Sequence, residues 1–177
     1  MTTATHPLRA AAFHTTACAG AVAAALALAL LAGCASPARE PVGSTPDAAV
    51  ARLGKPTGDY PLPGGGRRLQ YSEMPGGSHV WNMDYDTSGK LVSVDDGLRY
   101  ANFDRIVIGQ WTADDVTRML GRPMRVERVV TFNGPVWAYR FSDHNTMRLI
   151  YVHLDPAGVA QRIVYADELL GGPAESK

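Results

Sequence analysis

The chain has 177 residues, with 17 Lys and Arg balanced against 17 Asp and Glu. That length allows one ordinary domain or two small ones. The balanced charge excludes the basic face of a nucleic-acid binder. There are two cysteines, Cys18 and Cys34, too few for a disulfide framework in a chain of this size.

The segment from Met1 to Thr16 carries Arg9 and no acidic residue. Ala17 to Ala32 contains only Ala, Leu, Val, Gly and Cys18, an apolar core too short to span a bilayer comfortably and of the length found in a signal peptide. It ends on Leu31-Ala32-Gly33-Cys34, which resembles the lipobox of bacterial lipoproteins. That resemblance implies cleavage before Cys34 and lipidation of its thiol. Residues 1–33 then form a lipoprotein signal peptide and 34–44 a lipidated cysteine with a proline-containing tether. Cys18 lacks a Leu three residues upstream and precedes the apolar run, so it is no lipidation site. Ala35 in place of Asp after Cys34 implies the outer membrane by enterobacterial sorting, with the body facing the periplasm. Several acyl chains suffice for stable anchoring.

An internal repeat follows. Thr45 to Pro56 aligns with Thr112 to Pro123 at a shift of 67, with Thr, Asp, Arg, Leu, Gly and Pro coinciding. Each copy reads as a short capped helix. Thr45 and Thr112 are N-caps, acidic residues fill the first turn, and an apolar stripe leads to Gly54 or Gly121 at the C-terminus, with Pro56 or Pro123 beyond.

Downstream, the period changes to two. Leu69–Ser72, Val80–Tyr85 and Leu91–Asp95 read as strands in the first half. Arg125–Phe132, the Trp137-Tyr139-Phe141 face, Met147–Leu154 and Val159–Ala166 read as strands in the second, with Asn133-Gly134 a tight turn. Phe103 and Ile106 suggest a short helix from about Tyr100 to Val107. The expected fold class is α+β, as two tandem units at 45–98 and 99–170. Each comprises a short helix followed by a three-stranded antiparallel meander, and a tail covers 171–177.

Asn102-Phe103-Asp104-Arg105-Ile106-Val107-Ile108-Gly109-Gln110-Trp111-Thr112, then Val116, Leu120-Gly121 and Pro123, resembles the small outer-membrane lipoprotein family called BamE, SmpA or OmlA. Gln110 and Trp111 interrupt that family's pattern, and its members usually carry one unit. The tandem arrangement is similar to the β-lactamase inhibitor protein, whose paired units grip a partner. The resemblance implies a protein-binding module in envelope or outer-membrane assembly. The alternative is a lipoprotein that binds peptidoglycan or a small ligand, or inhibits a periplasmic enzyme.

Ser142-Asp143-His144 holds the residue types of a hydrolase triad, but neighbours on one loop do not converge on a proton path, and no nucleophile elbow exists. His144, His153, Asp143 and Asp155 follow no metal-ligand spacing. Gly64-Gly65-Gly66-Arg67-Arg68 lacks the rest of a phosphate loop. The reading is a non-enzyme with no catalytic residues, no metal and no cofactor. Trp81, Trp111, Arg67 and Arg68 are the candidate interface residues, because an exposed aromatic side chain dominates hot spots and the arginine pair can contact anionic lipid or a partner. Trp137 and Trp81 lie on aromatic strand faces, and Trp111 is placed to staple the entry of the second helix.

Overall fold

The computed structural model describes residues 35–168. Cys34, the leader before it and the tail at 171–177 lie outside the described residues. No helix among the described residues is long and apolar enough to cross a membrane.

Helix α1 spans Pro46–Leu53, and helix α3 spans Ala113–Leu120; α2 is the single turn Tyr100–Phe103. Strands β1 (Gly58–Pro61), β2 (Arg67–Ser72), β3 (Val80–Tyr85) and β4 (Leu91–Asp96) form one antiparallel sheet in that order. Strands β5 (Arg125–Glu127), β6 (Val136–Asp143), β7 (Thr146–Leu154) and β8 (Ala160–Asp167) form the other, also in order. The expected α+β pair of helix-plus-three-stranded-meander units is therefore corrected. The chain is mostly two four-stranded antiparallel sheets with few helices.

The miscount arises at the edges. Strand β1 is four residues long, half exposed and ends on Pro61, so it offers too little alternation to be read. The stretch expected to be a strand over Arg125–Phe132 pairs only at Arg125–Glu127. The helix expected to reach Val107 stops at Phe103.

Local chemistry fixes both longer helices. Thr45 accepts from the Ala48 amide, and Thr112 forms a reciprocal capping box with Asp115. At the other end, Gly54 and Gly121 adopt φ of 79° and 74°, where an L side chain is strained. Asp86 and Asp155, 69 residues apart, each accept two backbone N–H groups within a tight turn. A register shift follows at the adjoining strand end in both sheets, at Asp84/Tyr85 and at His153/Leu154.

Helix α1 packs Ala49 and Leu53 on one face of the first sheet, against Leu69, Tyr71, Met83, Tyr85 and Leu91. Helix α3 packs Val116, Met119 and Leu120 against Tyr139, Phe141, Ile150 and Val152 of the second sheet. The same cluster takes in Val80 and Leu98 from the first half. The alternation of β2 and β3 puts Arg68, Gln70, Val80 and Asn82 on the face away from α1. The C-terminal end of α3 docks there. Gln70 Nε2 donates to the carbonyls of Thr117 and Arg118, and Asn82 Nδ2 to that of Met119 at 2.8 Å. The Arg118 and Met119 carbonyls belong to the last turn of α3, where acceptors lack a partner within the helix, whereas that of Thr117 also accepts from the Gly121 amide. Gly97 passes so close that a Cβ there would lie 2.1 Å from the Met119 carbonyl oxygen. Helix α3 thus serves both sheets.

The segment expected to be a tether is held against the body. Pro37–Arg39 is a 3-10 turn, and buried Glu40 pairs with Arg52 of α1. The Gly43 amide donates to the Leu91 carbonyl, and the Leu91 amide to that of Ser44.

Candidate functional site

A cleft of about 490 Å³ opens beside the contact between the first sheet and the loop after α3. Met74 and Pro75 supply its apolar wall on one side, and Pro123 and Met124 on the other. Thr57, Gln70, Ser72 and Arg122 supply the polar groups. That volume and mixed lining match an ordinary small-ligand or peptide-side-chain site.

Local sequence explains how each wall is held. Ser72 ends β2, and its hydroxyl accepts from the Met74 amide at 3.1 Å, turning the chain so that Met74-Pro75 leaves the sheet. The Thr57 hydroxyl donates to the Gln70 carbonyl and accepts from the Ser72 amide, so both of its roles are filled. On the far side, Gly121 ends α3, and Met124 is fixed by its amide donating to the Ala138 carbonyl of β6.

Gln70 is 2% exposed. Its Nε2 meets three acceptors, the Asn82 Oδ1 and the Thr117 and Arg118 carbonyls, which fixes the orientation of the carboxamide. No donor among the described residues meets its Oε1. Arg122 is exposed at the rim and forms no ion pair among the described residues. Among the described residues it is the only charged one in the lining. The cleft therefore offers an unfilled acceptor, an unpaired cation and four apolar side chains.

The residues singled out in the sequence sit elsewhere. Arg67 makes a bidentate pair with Asp59 at 2.7 and 2.6 Å. The hydrogen bond pushes the Arg67 pKa up and holds the Asp59 carboxyl below its ordinary value. Arg68 is bidentate to Asp84 at 2.6 and 2.8 Å and also donates to the Arg118 carbonyl. Both arginines are thus engaged within the protein.

Trp81 is half-buried against the first core and stacks on His79, with centroids 5.2 Å apart. Trp111 and Trp137 are half-buried against the second core. Trp111, directly before the Thr112 cap, packs against the cluster that holds Met119 and Leu120.

Asp143-His144-Asn145-Thr146 is a hairpin corner in which His144 and Asn145 both have positive φ. His144 bonds Asp143 at 2.7 Å, and Arg148 bonds the same carboxylate; the hydrogen bond from His144 leads in holding Asp143 below its ordinary pKa. His153 lies on another strand under Phe132, and its pKa is lowered by burial and then by the Arg162 charge. No group of three His, Cys, Asp or Glu side chains suited to a metal gathers among the described residues.

The cleft was not foreseen from the sequence. Its signal was the cross-strand pair Gln70 and Asn82, two carboxamides at buried positions of neighbouring strands.

No family model matches the chain, and no curated protein matches it. Among solved structures, a DUF4309 family protein (YjgB) from Bacillus subtilis subsp. subtilis str. 168 is similar at 17% identity, over 71% of this chain and 79% of that one, with a TM-score of 0.30.

Proposed function

We propose that this chain is a non-enzymatic lipoprotein that binds another protein of the cell envelope, held at the outer membrane by acyl chains on Cys34. The observation that carries the binding half of this reading is the cleft, whose Gln70 Oε1 and Arg122 have no partners among the described residues. Gln70 Oε1 accepts from no donor among the described residues and is not sealed off from solvent, so a bound group can reach it. Methionines suit such a surface, because their unbranched thioethers adapt to the shape of what binds. The lipid anchor rests on Leu31-Ala32-Gly33-Cys34, and the outer-membrane address on Ala35. The size of the cleft also favours the second reading, a lipoprotein that takes up a cell-wall fragment or small ligand.

The test is site-specific photo-crosslinking in envelope membranes. A probe at Met124 should give one defined protein adduct, and a probe at Val130, itself fully exposed in the loop before β6, should not. The same adducts from both positions, or none from Met124, would count against protein binding at the cleft. Mass spectrometry of the N-terminal peptide reads the anchor independently, and an unmodified Cys34 thiol would remove it.

A further inference from the structure

We infer that the cleft recognises the C-terminal carboxylate of a partner's chain, carried by an apolar final residue. The inference rests on the protein-binding reading above and names what that site takes. Arg122 is the sole charge that the described residues bring to the lining, so the group it answers is an anion. A guanidinium fits a carboxylate through two parallel N–H···O bonds, a geometry that a single ammonium does not offer. Gln70 Oε1 is free to accept from a bound group, since its Nε2 is already spent on Asn82, Thr117 and Arg118. A backbone N–H close to a terminal carboxylate supplies that donor. Met74, Pro75, Pro123 and Met124 make an apolar recess for the last side chain. An anion, an N–H and an apolar side chain within a few bonds of one another are the parts of a peptide's final residue. A cell-wall stem peptide also ends in a carboxylate, but its ammonium groups would meet no carboxylate in this lining.

The experiment uses the intact body and three probes: an N-acetyl tripeptide acid ending in leucine, its C-terminal amide, and a stem peptide ending in D-alanyl-D-alanine. Binding is followed by amide and guanidinium NMR, read at the Gln70 side-chain amide and at the Arg122 Nε–H. The acid should shift both signals, and the amide should bind about tenfold or more weakly. Arg122→Gln should weaken the acid by a similar factor while barely changing the amide. Arg122→Lys should recover part of the loss. Arg122 is exposed and unpaired, so neither variant threatens the fold, and unchanged thermal unfolding would confirm that.

Equal binding of acid and amide would overturn the inference, as would no shift at Gln70 and Arg122 from any probe at millimolar concentration. Tighter binding of the stem peptide than of the leucine acid would overturn it in favour of cell-wall recognition. A specific Met124 protein adduct alongside silent acid probes would leave protein binding standing and remove only the carboxylate.

Discussion

The phenol of Tyr139 donates to the carbonyl of Gly121 at 3.1 Å, tying the second strand of its sheet to the end of α3. Tyr71 does the same to Gly54 at 3.0 Å in the first half, 68 and 67 residues earlier respectively. The two contacts close the same gap, since Gly54 and Gly121 are the residues at which each helix ends. Tyr139 is fully buried, and Tyr71 nearly so. Tyr139→Phe leaves the Gly121 carbonyl without this donor and should cost about 1–3 kcal/mol. Tyr71→Phe should cost less, because water reaches that site more easily. Urea denaturation midpoints of the two variants decide the order.

Gln70 and Asn82 hold one another at 2.9 Å and jointly bind the last turn of α3. Each single change to Ala should cost about 1–3 kcal/mol, and the double variant less than the sum, since the partners share one network. Additive losses in a double-mutant cycle would show that the two carboxamides act separately.

Leu53 and Leu120 occupy the same place in the two repeats but not the same environment. Leu120 is fully buried between sheets, whereas Leu53 is half-buried against one. Leu120→Ala should cost about 2–5 kcal/mol, and Leu53→Ala about 1–2 kcal/mol. Equal losses from equilibrium unfolding would argue that α3 is no more enclosed than α1.

Arg67 and Arg68 are neighbours with unequal pairs. The Arg67–Asp59 pair is exposed, and that of Arg68 with Asp84 is largely sheltered. Arg67→Ala should change stability by about 0–1 kcal/mol. Arg68→Ala should cost more, because it leaves the sheltered Asp84 without its partner and removes one of the two donors to the Arg118 carbonyl. Thermal unfolding of the two variants at raised salt separates them further, since screening weakens the exposed pair first.

Tyr85 is pushed up to about 12, first by burial and then by the charge of Glu40. Its protonated form is favoured in the folded state, while the unfolded phenol ionises near 10.0. Stability is therefore fully present below pH 10 and falls as the pH rises from 10 through 12, by about 2 kcal/mol for this one group. Denaturation curves across that window should show a smaller fall in Tyr85→Phe. An unchanged slope would place the alkaline loss on other tyrosines.

Sequence reasoning reached the parts of the fold that local chemistry decides. Thr45, Thr112, Gly54 and Gly121 bound their helices through short-range caps, and Asp86 and Asp155 set their turns within five residues. It missed β1, whose pairing with β2 depends on residues farther along the chain rather than on its own pattern. Arg67 and Arg68 looked free because their carboxylates stand 8 and 16 residues away. The alternation of β2 marks Gln70 as lying opposite Leu69 and Tyr71, which reads as facing solvent. Only the docking of α3, about 47 residues on, turns that face into an interior and leaves Oε1 at the wall of a cleft.

Because α3 leans on one sheet with its side chains and on the other with its final carbonyls, a cut in the linker near Gly97 would strand each piece with an unfinished surface. Neither fragment expressed alone should yield a native spectrum. Mixed together, the two should reassemble, with the C-terminal piece delivering the helix that the N-terminal sheet lacks.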